Sequence, residues 1–100
     1  MNENDIAPYD EGAECSTLGA MLIDKRAAEI AIEELTGKDF YVPEYRTCFD
    51  AFSSVFEARG ELDETLAVSA LEARGELAAA GGREGIGRLI VNSPGAHNVQ

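Results

Sequence analysis

The chain lacks tryptophan altogether and has one histidine, two cysteines and three prolines in 100 residues. Two cysteines, Cys15 and Cys48, are too few for a disulfide framework, and both fall within apolar patterns, so buried free thiols are expected. The lone histidine, His97, makes no recognisable metal-ligand spacing with them. It is also the sole imidazole available as a base for Ser16, Ser53, Ser54, Ser69 or Ser93, and it stands near the C-terminal end. A serine nucleophile would therefore rest on a poorly anchored partner. Positive charge is scarce as well: 8 Lys and Arg stand against 19 Asp and Glu, for a formal net charge of −11. Nucleic acid is held largely by neutralising its phosphates, so direct DNA or RNA binding by this domain is not expected. An anionic membrane surface is disfavoured for the same reason. No apolar run approaches the roughly 18–20 residues of a membrane span. The segment Met1-Asn2-Glu3-Asn4-Asp5 is acidic where a signal peptide would be basic, which points to the cytoplasm.

What is present is helical patterning in a single domain's length of chain. Residues 1–9 are polar, lack periodicity and read as a flexible lead-in; residues 10–95 read as the globular domain and 96–100 as a tail. Asp10 can cap a first helix that carries Cys15, Leu18, Met21 and Leu22 at helical spacing, with Gly19 on the same side. Asp24 can cap a second, with Ala28, Ala31, Ile32 and Leu35 inward and Glu29, Glu33 and Glu34 outward. Thr36-Gly37 is expected to end it, the glycine taking the left-handed position. Lys38 to Val42 reads as a loop, and Pro43 as the first residue of a third helix.

That third helix has the clearest pattern. Tyr45, Cys48, Phe49, Phe52 and Phe56 fall at i, i+3, i+4, i+7 and i+11, an aromatic stripe over three turns that reads as core. Glu57-Ala58-Arg59-Gly60-Glu61-Leu62 recurs fifteen residues later as Glu72-Ala73-Arg74-Gly75-Glu76-Leu77. Each copy reads as one helix ending, with arginine in the last turn, glycine just beyond and leucine folding back onto the core. Asp63 or Thr65 can cap a fourth helix bearing Ala67, Ala70 and Leu71. Glu76 to Ala80 can add a turn, closed by Gly81-Gly82. A fifth helix runs from about Arg83 to Asn92, with Ile86, Leu89 and Ile90 inward and Ser93-Pro94-Gly95 as its stop. The expected fold class is all-α, a compact bundle of five short helices around one core.

Chemistry is hard to find. Gly82-Arg83-Glu84-Gly85-Ile86-Gly87-Arg88-Leu89 has glycines at the spacing of a Walker A loop. Arg88 and Leu89 stand where that loop needs lysine and then Ser or Thr, and no strand precedes it. A glycine-rich turn before a short helix is the expectation. Glu33-Glu34 and Asp63-Glu64 read as solvated charge on helix faces. No catalytic, cofactor-binding or metal-ligating residue is assigned. Tyr9, Tyr41, Val42 and Val91 are the candidates for apolar residues at a protein interface.

The order of several landmarks resembles the N-terminal domain of DnaB-family replicative DNA helicases over about residues 8–99. These are Pro8; Glu14 with Leu18-Gly19-Ala20-Met21-Leu22; Asp39-Phe40-Tyr41; Arg46 and Phe49; Gly60 with Leu62-Asp63; the run from Leu71 through Arg74-Gly75-Glu76-Leu77; Gly81-Gly82; and Pro94 with Asn98. Tyr45 departs from the histidine usual in the family, and the proline common between Glu61 and Leu62 is absent. The resemblance implies a non-catalytic collar head in an ATP-driven, ring-shaped hexamer, with other helicase subunits, primase and in some systems the helicase loader as partners. ATP and magnesium belong, on that resemblance, to a RecA-like domain beyond a helical hairpin and linker that would follow Gln100. Without the hairpin a monomer or weak dimer is expected. A stand-alone regulator of the same fold is the alternative, and an open reading frame downstream of Gln100 with a Walker A loop would distinguish the two.

Overall fold

The structure is a computed structural model in which residues 10–92 are described. Five α-helices and one 3₁₀ turn follow one another among these residues: α1 (Glu11–Ile23), α2 (Lys25–Glu34), the 3₁₀ turn (Gly37–Asp39), α3 (Pro43–Arg59), α4 (Glu64–Ala73) and α5 (Gly82–Val91). No strand occurs among the described residues. The all-α, five-helix expectation holds.

The helix boundaries follow from side chains that satisfy orphan N–H groups. Asp10 accepts from the Ala13 N–H at 3.0 Å and opens α1. Asp24 accepts from the Arg26 N–H at 2.9 Å and opens α2 one residue after α1 ends. Asp63, not Thr65, caps α4 by accepting from the Leu66 N–H at 2.8 Å. Pro43 occupies the first turn of α3, where its missing N–H has no partner to lose. Both copies of the repeated hexapeptide end helices, with one difference: Arg59 lies in the last turn of α3 and Gly60 caps it, whereas Arg74 is itself the cap of α4 and Gly75 follows. Gly60 and Gly75 have φ of 76° and 71°, the left-handed conformation that stops the helix. Leu62 and Leu77 then pack against the core.

Gly37 departs from expectation. It is not left-handed; α2 closes on an extended Leu35, and Gly37 begins the 3₁₀ turn. Thr36 caps that turn, with its N–H donating to Asp39 Oδ2 at 2.8 Å. The surroundings of Gly37 are crowded: a Cβ there would stand 2.5 Å from Asp50 Oδ1, so the exposed Asp50 side chain would have to shift. The loop expected over Lys38 to Val42 is accordingly part turn and part extended chain.

α1 is central, packed against α2, α3 and α5, while α4 bridges α3 and α5. The aromatic stripe of α3 faces inward as its spacing requires. Cys48, Phe49 and Phe52 are buried, and Tyr45 and Phe56 flank them half-buried. Leu18, Met21, Leu71 and Ile86 complete the fully buried centre. Phe40 joins the core from outside the helices, its ring centroid 5.0 Å from that of Phe49. Both cysteines are free and buried.

Candidate functional site

Among the described residues, the most extended set of side-chain-to-backbone hydrogen bonds surrounds the short link between the 3₁₀ turn and α3. Phe40 and Val42 are extended, and the Tyr41 and Val42 N–H groups and the Phe40 and Tyr41 carbonyls find no backbone partner among the described residues and must be satisfied otherwise. Two side chains do this from opposite directions. Glu14 of α1 accepts from the Tyr41 N–H at 2.9 Å and from the Val42 N–H at 3.3 Å. Arg46 of α3 donates Nε to the Phe40 carbonyl at 2.7 Å and Nη2 to the Tyr41 carbonyl at 3.2 Å. Glu14 also places its negative charge at the start of α3, where the helix dipole favours it.

This clasp fixes what the link presents. Phe40 turns inward and is buried, whereas Tyr41 is 63% exposed. Val42, half-buried, lines a cleft of about 320 Å³ bounded by α1, the start of α3, the Ala80-Gly81 turn and α5. Glu11, Glu44, Arg88 and Asn92 give it polar walls, and Cys15 and Tyr45 its deeper surface. Burial, then the proximity of Cys15 and the hydrogen bond with it, pushes the Tyr45 phenol above its ordinary value. Burial first, with Glu44 and Cys15 adding to it, pushes the Cys48 thiol up to about 12. Cys48 therefore remains a neutral thiol near pH 7, donating to the Ala80 carbonyl at 3.5 Å. This is a packing role, not a nucleophile's.

The interface candidates divide. Tyr41 and Val91 are exposed, Val91 by 61%; Val42 is half-buried beside the cleft that Asn92, the neighbour of Val91, also lines. Tyr9 lies outside the described residues, as do Ser93 and His97. Sequence patterning missed two exposed apolar side chains, Ile23 at 45% and Ile30 at 43%. It also gave no function to Glu14 or Arg46, whose partners lie 27 and 28 residues away in one case and on bare backbone in the other.

The segment with Walker-like glycine spacing is neither a loop nor a turn before a helix. Residues 82–91 are α5 itself, with Gly81 as its cap. Its N–H groups from Gly85 onward enter helical bonding, beginning with Gly85 to the Gly81 carbonyl at 3.1 Å. Among the described residues no three His, Cys, Asp or Glu side chains are grouped to hold a metal ion. No helix among them is long and apolar enough to cross a membrane.

Comparison with known proteins gives one consistent result. The family model for the DnaB-like helicase N terminal domain matches residues 6–100. A replicative DNA helicase DnaB of Leifsonia xyli is 36% identical over 92 residues, which are 92% of this chain and 20% of the relative. The DnaB of Mycobacterium leprae is 38% identical over 93 residues, covering 92% of this chain and 15% of the relative. The chain thus spans a fifth or less of the length of these relatives. Among solved structures, the crystal structure of the N-terminal domain of DnaB helicase from Mycobacterium tuberculosis superposes with a TM-score of 0.80 at 37% identity. That match covers 91% of this chain and 63% of the solved one. On sequence and on structure alike, this chain belongs to the family of DnaB-like helicase N-terminal domains.

Proposed function

We propose that these residues act as the non-catalytic head of the N-terminal collar of a cytoplasmic replicative DNA helicase. Their work is protein contact: joining neighbouring subunits in the ring and receiving primase or the helicase loader. Unwinding, with its ATP and magnesium, belongs in this proposal to residues of the parent beyond this head. The observation that carries the reading is the clasp. Glu14 and Arg46 anchor the backbone of residues 40–42 while the Tyr41 side chain stays 63% exposed. A rigidly held, solvent-facing tyrosine is what a protein-docking surface uses, because it offers contact area at small entropic cost. The surplus of 19 acidic over 8 basic residues supports the same assignment. It repels DNA and attracts basic partner surfaces.

The test is a titration of the cognate primase against this chain and against one extended through the following hairpin. Binding is expected to weaken steeply between low and high salt and to be reduced by Tyr41→Ala. Affinity that is insensitive to both would refute the docking role. In the same preparation, light scattering at micromolar concentration is expected to give a monomer or weak dimer, and calorimetry to show no uptake of ATP with magnesium. A stable hexamer would contradict the expectation that this head joins subunits only weakly without the hairpin. Clear nucleotide affinity would contradict the non-catalytic assignment.

A further inference from the structure

We infer that the groove between α2 and the C-terminal half of α3 is a docking site for a basic amphipathic helix from a partner protein. α2 packs closely on α1 through Ala28 and Ala31, and touches α3 only lightly. The space left open is a groove of about 610 Å³. Its apolar surface comes from Ile30, 43% exposed, with Ile32 and Phe56 half-buried beside it. Its edge is acidic: Glu29 and Glu33 from α2 and Glu57 from α3, against Arg26 alone.

Three features together select the occupant. Arg26, Glu29, Ile30 and Glu33 fall at i, i+3, i+4 and i+7 of α2, away from Ala28 and Ala31, so α2 presents a ridge of its own to the partner. The three groove carboxylates have no ion-pair partner among the described residues. Arg74 and Arg83, by contrast, are taken up by Glu76 and Glu72. An apolar strip flanked by free carboxylates complements a helix with apolar residues at i, i+3, i+4 and i+7 and Lys or Arg beside them. A second copy of this chain, itself at −11, would bring like charge to that edge. The ten residues of α2 span about 15 Å, which suits roughly three turns of a docked helix.

The groove lies at the far end of α3 from the Tyr41 clasp, since Phe56 is about 20 Å along the helix from Pro43. The inference is therefore independent of the helicase reading: a chain with no part in replication would carry the same groove.

The test uses the whole 100-residue chain and two fluorescein-labelled peptides of about 18 residues, long enough to form helix. Both carry leucine at i, i+3, i+4 and i+7; one has lysines beside the leucines and the other glutamates. Fluorescence anisotropy is expected to show saturable binding of the lysine peptide, at least about tenfold tighter than the glutamate peptide. Ile30→Ser should weaken it by about tenfold, because the apolar anchor is lost. The triple variant Glu29→Lys, Glu33→Lys, Glu57→Lys should reverse the preference between the peptides. All four positions are exposed, so each variant is expected to fold, which circular dichroism checks. Amide shifts on binding should centre on Ile30, Glu33 and Glu57.

No binding, equal binding of both peptides, indifference to Ile30→Ser, or shifts centred on the Tyr41 cleft would each overturn the inference. So would a concentration-dependent dimer abolished by Ile30→Ser, which would assign the groove to a second copy. Loss of primase binding through Tyr41→Ala, by contrast, bears only on the proposed function.

Discussion

Removing the Glu14 carboxylate should loosen the link that presents Tyr41, and the size of the effect can be worked out from its two bonds. The 2.9 Å bond from the Tyr41 N–H is solvent-exposed, so water replaces much of it when the carboxylate goes. The 3.3 Å bond from the Val42 N–H is partly buried and is replaced less well. Lost hydrogen bonds of this kind, together with a lost negative charge at a helix start, sum to about 1–2 kcal/mol. For a domain of this size that lowers the melting temperature by roughly 4–16 °C. Glu14→Ala should show the whole effect, and Glu14→Gln about half, since one acceptor oxygen remains. Arg46 holds Phe40 and Tyr41 of the same link and shares Tyr41 with Glu14, so Glu14→Ala and Arg46→Ala should not be additive, with a coupling of at least about 0.5 kcal/mol. The assays are urea and thermal unfolding by circular dichroism, with hydrogen exchange read at the Tyr41 and Val42 amides. A Glu14→Ala variant within about 0.3 kcal/mol of the parent, a surface substitution's usual effect, would refute the clasp. Unchanged exchange at those two amides would refute it too.

Three further outcomes follow from the same structure. Phe52 is fully buried, so Phe52→Ala should cost about 3–5 kcal/mol, measured as a shift of the urea midpoint; a midpoint near the parent's would show that the stripe is not the core. Two glycine substitutions should act with opposite sign in the same unfolding experiment. Gly60→Ala forces a side chain into φ of 76° and should destabilise by about 1–2 kcal/mol. Gly85→Ala adds a Cβ no closer than 3.6 Å to the Ala80 carbonyl and should stabilise by about 0.5–1 kcal/mol. Cys48 has a folded-state pKa of about 12 against an ordinary value of 9.0, so between those values the folded state holds a proton that the unfolded state has released. Stability should therefore fall as pH rises from about 9 to 12, and Cys48→Ala should flatten that fall, followed as melting temperature against pH.

The helices were legible because local signals decide them. Asp10, Asp24 and Asp63 cap where a side-chain oxygen can reach an N–H two or three residues on, and the aromatic spacing in α3 permits only one inward face. Gly37 was misread for a physical reason. The chain runs on from an extended Leu35 into a 3₁₀ turn there, and no local pattern distinguishes a glycine with left-handed φ from one that starts such a turn. Ile30 was missed because the inward face of α2 is defined by Ala28, Ala31, Ile32 and Leu35, and a large apolar side chain off that face has no local signature that tells exposure from burial.

The residues that carried the family resemblance and the residues that build the clasp are largely the same. Glu14, Phe40, Tyr41, Arg46 and Phe49 are separated in sequence, yet they form one unit of four hydrogen bonds and one ring contact. The resemblance was recognisable because these positions are constrained jointly. Changing Glu14 removes the partner of two backbone donors, and changing Arg46 that of two acceptors, so either change weakens the hold on the link. Such residues report the fold. They do not report what the fold docks against, because their polar groups are spent on the chain's own backbone. Specificity has to reside in side chains that remain open to solvent: Tyr41 beside the clasp, and Ile30 with its three carboxylates at the far end of α3. The exposed side chains at these positions can change at smaller cost to folding than the buried ones. Two proteins that share the clasp can therefore differ in partner, and substitutions at Tyr41 and Ile30 should alter binding while leaving the unfolding transition in place.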